Sequence, residues 1–234
     1  MRVYAIGDLH LSGAQPKSMD IFGAHWENHW EKIAAHWASR VTEEDAVLIP
    51  GDISWAMELS DAKVDLDAIA ALPGKKVLLR GNHDYWWSSL SKVRAVLSPG
   101  MQVLQNDCIT VGGVGICGTR GWLCPNPNAF TQHDEKIYSR EAERLELSLK
   151  SFAKTGLDAE HQVVMMHYPP FNDHHEPSLF TELFEKYGVR NVIYGHLHGA
   201  GTRNALEGIV NGVWYSLVSC DHLGFTLLEV LHPE

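Results

Sequence analysis

Seven side chains able to bind a metal fall just after short apolar runs. Asp8 and His10 follow VYAI, Asp52 follows AVLIP, Asn82 follows KVLLR, His167 follows QVVMM, and His196 and His198 follow VIY. His83 adjoins Asn82. Each offers an oxygen or an imidazole nitrogen. Alone, such a residue has an ordinary explanation: an Asp after a strand caps a helix or closes a turn, and a histidine there is hydrogen-bonded in place. Taken together, several carboxylates and imidazoles buried without compensation would be expensive. Divalent cations remove much of that cost, and mixed oxygen and nitrogen donors suit Mn, Fe, Zn, Co or Ni better than Ca or Cu(I).

The donors outnumber what one four-coordinate ion can use, so two ions are expected. Asp52, in the middle of the set, is the carboxylate best placed to be shared. Two ions about 4 Å apart can hold a hydroxide between them and clamp phosphoryl oxygens during in-line displacement. The leaving oxygen still needs a proton, and an imidazole outside the metal shell suits that task near neutral pH.

Such a centre needs strands to carry it. Apolar runs at 3–6, 46–50 and 76–80 each end in Gly followed by Asp or Asn. Helical patterns separate them, one over 20–40 with Trp26, Trp30, Ile33 and Trp37 in register, another over 58–71 stopped by Pro73-Gly74. Open α/β sheets place ligand sites at strand ends in this way. Short strands follow between 101 and 118, with Asn106-Asp107 predicted as a hairpin turn. A helix over 134–154, a strand over 161–167, a helix stopped by Gly188, and a tail predicted as paired strands complete the chain. These short strands fit either two facing sheets or one mixed sheet with an antiparallel end.

The 234 residues suit a single domain spanning 1–234, and the formal charge of -10 argues against stable nucleic acid binding. No stretch has the length and hydropathy of a membrane span, and the first residues lack a signal-peptide pattern, so a cytoplasmic protein without membrane insertion is expected. Cys108, Cys117, Cys124 and Cys220 form no CxxC pair and are expected to be free thiols. Oligomeric state is not readable from the pattern.

GDLH (7–10), GDIS (51–54), GNHD (81–84), MHYPP (166–170) and GHLH (195–198) together resemble the calcineurin-like metallophosphoesterase superfamily, with all five motifs in the family's order. The resemblance implies an α/β fold of two facing mixed β-sheets flanked by helices, with a dimetal centre at the strand ends. It further implies that Asp8, His10, Asp52 and His198 hold one ion. Asn82, His167 and His196 would complete the other, with Asp52 shared. His83 would contact the substrate and protonate the leaving oxygen, and Asp84 would orient it or the adjoining turn. Manganese is the expected occupant of both positions, with Fe, Zn, Ni or Co as alternatives.

The chain departs from the protein serine/threonine phosphatase branch, which carries GDxVDRG. Here Ser54, Trp55 and Ala56 replace its Val, Asp and Arg, which makes a phosphoprotein substrate a poor expectation and favours a phosphorylated small molecule. Arg120, in the Gly-flanked CGTRGWLCP segment, is the candidate phosphate clamp. Trp86 and Trp87 are expected to wall the pocket. His25, His29 and His36, and the His174-His175 loop, are read as polar surface rather than as further metal sites. His196 and His198, two apart in an extended segment, should present both rings to the same side. The rival reading is a non-catalytic, metal-bound interaction module or a hydrolase of nucleotide or lipid pyrophosphates.

Overall fold

The computed structural model describes residues 1–127 and 129–231. The chain runs β1 (Val3–Ala5), α1 (His29–Arg40), β2 (Ala46–Ile49), α2 (Leu59–Ala70), β3 (Lys75–Leu78), α3 (Leu90–Val96), β4 (Met101–Val103), β5 (Ile109–Val111) and β6 (Val114–Thr119). It continues through α4 (Gln132–Ala153), β7 (Gln162–Met166), α5 (Leu179–Lys186), β8 (Asn191–Tyr194), β9 (Gly208–Val210), β10 (Val213–Leu217) and β11 (Leu228–Glu229).

Two mixed sheets result, ordered β11-β1-β2-β3-β4 and β5-β6-β7-β8-β10-β9. In each, the interior strands are parallel and antiparallel partners sit at the margins: β11 on β1 in the first, β5 on β6 and β9 on β10 in the second. Successive side chains of a strand face opposite ways, so strands buried on both faces read as unbroken apolar runs. Val3, Ala5, Leu48 and Val77 pack with Ile116, Val163, Met165 and Ile193 in one buried cluster between the sheets. Tyr4, Ile6, Val47 and Ile49 instead meet Ile33, Trp37 and Leu66 of α1 and α2. On the far side, Val164 and Val192 pack against Leu145, Leu149, Phe180 and Phe184 of α4 and α5. Two facing mixed sheets flanked by helices are therefore the fold, as the five motifs imply.

Several local expectations are corrected. The pattern predicts a helix over 20–40, but the α-helix begins at His29, after two single 3₁₀ turns. Gly23 (φ 131°) and left-handed Asn28 (φ 52°) interrupt the earlier stretch. Asn106-Asp107 is not a hairpin turn. β4 pairs with β3 in the first sheet and β5 with β6 in the second, so this segment crosses between sheets. The hairpin lies at Gly112-Gly113, both with positive φ. The two tail strands are not partners either: β10 lies beside β8 and β11 beside β1. β9, which the pattern does not reveal, pairs with β10 across Asn211-Gly212. No helix among the described residues is long and apolar enough to cross a membrane.

Candidate metal centre

The parallel strands end together, and the loops after β1, β2, β3, β7 and β8 meet there. Backbone bonds tie them: the Asp8 amide donates to the Gly51 carbonyl (3.0 Å), the His10 amide to the Asp52 carbonyl (3.0 Å), and the Gly195 amide to the His167 carbonyl (3.1 Å). Packing is tight enough that a Cβ on Gly81 would overlap Asp52, and one on Gly195 would overlap the Asp8 carboxylate. Asp8, His10, Asp52 and His196 all hold positive φ, between 46° and 73°. For non-glycine residues this costs roughly 1–2 kcal/mol each, and such strain clusters where function over-determines the backbone. His196 is thus left-handed rather than extended. Its ring and that of His198 reach the centre from a kinked turn closed by the Leu197 amide on the Gly195 carbonyl (2.9 Å).

The two rings meet different partners. His198 Nε2 lies 3.4 Å from His10 Nε2 and 3.5 Å from Asp8 Oδ1. His196 Nδ1 lies 2.9 Å and His167 Nε2 2.7 Å from Asn82 Oδ1. Asp52 stands between the halves, with Oδ2 3.8 Å from His10 Nε2 and Oδ1 3.5 Å from His167 Nε2. Asp8, His10 and His198 form one cluster able to hold an ion, and Asp8, Asp52 and His167 another. Asp8 is common to both clusters, yet His167 turns Nδ1, not Nε2, toward Asp8. That Nδ1 sits 2.9 Å from the Pro50 carbonyl, the partner that fixes it as the protonated nitrogen and leaves the Nε2 lone pair facing Asn82 Oδ1 and Asp52 Oδ1.

The electrostatics call for cations. Burial opposes the Asp8 charge, but hydrogen bonding and charge from His198, with His167 and His10, hold its carboxyl well below the usual range. Burial and the Asp8 charge push Asp52 up to about 7. Burial, with neighbouring imidazoles, lowers His10 and His196 to about 3, and burial lowers His167 too. His198 moves the other way: burial is outweighed by Asp221 and Asp8, which raise it to about 10. One imidazolium thus serves as the counter-charge of the carboxylates. His10 Nδ1 is buried without any hydrogen-bond partner. Imidazole nitrogens and carboxylate oxygens converging within about 3–4 Å match the donor spacing around a transition ion, so each of the two clusters fits such an ion once His198 gives up its proton.

His83 belongs to neither cluster. Its amide donates to Asp52 Oδ1 (2.8 Å), while its ring sits 4.7 Å from the Trp55 ring, with Nδ1 3.3 Å from the Tyr85 hydroxyl. Burial and the His167 charge lower its pKa. Asp84 does not touch that ring. It is fully buried and accepts from the amides of Ile53 (2.9 Å), Ser54 (3.2 Å) and Gly81 (2.8 Å) and from Trp86 Nε1 (3.0 Å), clamping two ligand loops together.

A pocket of about 250 Å³ opens over His10, His83 and His198. Its aromatic walls are Trp26, Trp55 and Phe22, with Trp55 stacked on His10 at 4.7 Å and 21°. Trp86 and Trp87 instead pack in the core outside the first sheet. Arg120 is also elsewhere: it lies over Trp122 (4.9 Å) and lines a separate cavity. Its carbonyl accepts the amides of His167 (3.1 Å) and Tyr168 (2.9 Å). The additional histidines are occupied by backbone: His29 with the Leu9 carbonyl (3.0 Å), His36 with the Leu227 amide (3.1 Å), His175 with the Asn204 carbonyl (2.8 Å).

Sequence reasoning misses Asp221, which accepts His198 Nδ1–H at 2.8 Å and the Gly199 amide at 3.0 Å. No motif marks it, because it reaches the centre from the loop after β10. This pair makes a pH prediction. The folded His198 pKa lies above its unfolded value near 6.5. Chelator-treated protein should therefore keep this stabilisation below pH 6.5 and lose it as pH rises toward 10. A bound ion replaces that proton, so the rise in Tm on adding Mn should grow from pH 6.5 to 9, and Asp221→Asn should flatten the trend. A metal-induced rise in Tm that shrinks with pH would overturn the assignment.

An α/β double sheet that gathers carboxylates and imidazoles at its strand ends is the build of a metallohydrolase. The model of the calcineurin-like phosphoesterase family matches residues 1–200, and the chain belongs to that family of metal-dependent phosphoester hydrolases, which typically bind two divalent metals. A solved structure of a protein of unknown function from Aquifex aeolicus shares the fold, with TM-score 0.50 and 16% identity over 97% of this chain and 94% of that one. Comparison with curated proteins finds no match.

Proposed function

We propose that this chain is a two-cation phosphoesterase that hydrolyses a mono- or diester of a phosphorylated small molecule. The carrying observation is the division of labour at the strand ends. Asp8, His10 and His198 form one cluster and Asp8, Asp52 and His167 the other, Asp52 also lies 3.8 Å from His10, Asn82 lies against His167 and His196, and His83 stands outside both clusters. Two divalent ions bound there would polarise phosphoryl oxygens and lower the pKa of water. Asp52 holds the His83 backbone through its amide. The His83 ring turns Nδ1 to Tyr85 and leaves Nε2 to carry a proton to the leaving oxygen. His10 is held flat against Trp55, and the aromatic pocket walls shield the reacting groups from bulk water.

Trp55 supports the small-molecule branch. The protein phosphatases place there an Asp that pairs with the catalytic histidine. Here an indole packs on that histidine, and Asp84 serves the loops instead. The test is a panel of phosphate monoesters, diesters and anhydrides assayed with Mn, Ni, Zn and Mg in parallel. Turnover that disappears with chelator and returns with metal is expected. No turnover of any substrate by fully metallated protein would overturn the phosphoesterase reading.

A further inference from the structure

A cavity of about 640 Å³ shares no lining residue with the pocket over His10, His83 and His198. Four arginines line it: Arg80 after β3, Arg120 after β6, and Arg140 and Arg144 on α4. The last two are four residues apart and so share one face of the helix. Glu141 is the only carboxylate in this lining, and both its oxygens are taken. Oε1 accepts Arg144 at 2.6 Å and Oε2 accepts the Thr119 hydroxyl at 2.5 Å. Arg80, Arg120 and Arg140 have no ion-pair partner among the described residues. Arg80 Nε is buried with no hydrogen-bond partner. Burial, with Arg80 and Arg144 close by, lowers the pKa of the Arg120 guanidinium.

Four guanidinium groups against one carboxylate leave three net positive charges in one concavity, on a chain of net charge -10. Like charges gathered in one concavity repel one another, and half-buried Arg80, Arg120 and Arg144 also lose hydration, a cost that an anion bound among them removes. Planar guanidinium forks match phosphate oxygens two at a time. We propose that this cavity binds a phosphate-type oxyanion carrying two or more negative charges, at a site distinct from the metal centre. Two sources share that chemistry: a second phosphate on the molecule being hydrolysed, or a free phosphate anion. The cavity is linked to the centre through the backbone: Arg80 stands two residues before Asn82, and the Arg120 carbonyl accepts the His167 amide.

The site is tested without metal, so the result does not depend on the phosphoesterase reading. Full-length, chelator-treated protein is titrated calorimetrically with inorganic pyrophosphate at low ionic strength. Saturable binding is expected, weakened about 10-fold or more in both Arg120→Gln and Arg140→Gln, as loss of a charge-assisted contact requires. Arg140 is exposed, so its replacement leaves packing intact if Arg120→Gln fails to fold. No binding by the wild type, or unchanged affinity in Arg140→Gln, overturns the site. The source is then read from metal-loaded enzyme as the ratio of KM for a sugar bisphosphate to KM for the matching monophosphate. A rise of about 5-fold or more in that ratio in Arg140→Gln assigns the cavity to the substrate's second phosphate. An unchanged ratio assigns it to a free anion. Failure of the phosphoesterase reading would appear as absent turnover with pyrophosphate binding intact.

Discussion

Replacing Asp52 with Asn is expected to lower occupancy of both metal positions and reduce kcat/KM by ~10³-fold or more, the several kcal/mol that metal ions supply to phosphoryl transfer. Asp52 sends Oδ2 toward His10 Nε2 and Oδ1 toward His167 Nε2, whereas Asp8 meets the Nδ1 edge of His167. The same change should stabilise the chelator-treated protein. Burial and Asp8 raise the folded Asp52 pKa from 3.8 to about 7, so its charge disfavours the fold increasingly as pH rises through that window. Asn carries no charge, and its oxygen can still accept the His83 amide. Above pH 7 the metal-free variant should melt ~2–4 °C higher than the metal-free wild type, equivalent to about 1 kcal/mol in a chain this size. Elemental analysis showing two full equivalents of metal in Asp52→Asn would end the shared-ligand assignment, and a lower apo Tm would contradict the repulsion argument.

His83→Ala should cost ~10²-fold or more in kcat with metal content nearly unchanged, the usual contribution of a positioned general acid. Its ring is outside both ligand clusters and lines the pocket where a leaving group would sit. The loss should be smallest for esters of acidic phenols, whose leaving oxygens need no proton, and largest for alkyl esters. Equal loss across that series would point to a positioning role, and loss of metal would place His83 among the ligands. Burial and the His167 charge lower the pKa of this imidazole, which makes it a stronger acid but shortens the pH range in which it holds its proton. The His83-dependent part of kcat should therefore decline as pH rises.

How much of this was legible beforehand depended on whether the signal was local. Each ligand follows an apolar run with a Gly or a turn beside it, and these patterns lie within four or five residues of chain. The sequence therefore places Asp8, Asp52, Asn82 and His167 at strand ends. The left-handed turn at His196 was not visible, because an extended segment and a kinked one share the letters GHLH. Asn106-Asp107 carries good turn chemistry, yet strand pairing is decided by distant partners, and β4 and β5 find theirs in different sheets. Trp86 and Trp87 follow a site motif, but Trp86 turns to Asp84 and both rings enter the core.

The sequence by itself determined the donor types, their order and the family, because these are properties of short segments and of the chemistry each side chain carries. Only the tertiary structure decided which donors come together, that Asp221 holds His198 Nδ1, and that Arg120 joins three other arginines rather than the histidines. Those choices rest on convergence of loops up to 213 residues apart, such as Asp8 and Asp221 about His198, and are set by the stacking of the two sheets. Burial then does the rest: the same carboxylate that would titrate near 3.8 in water is driven down at Asp8 and up at Asp52 by neighbours that only the fold brings within reach.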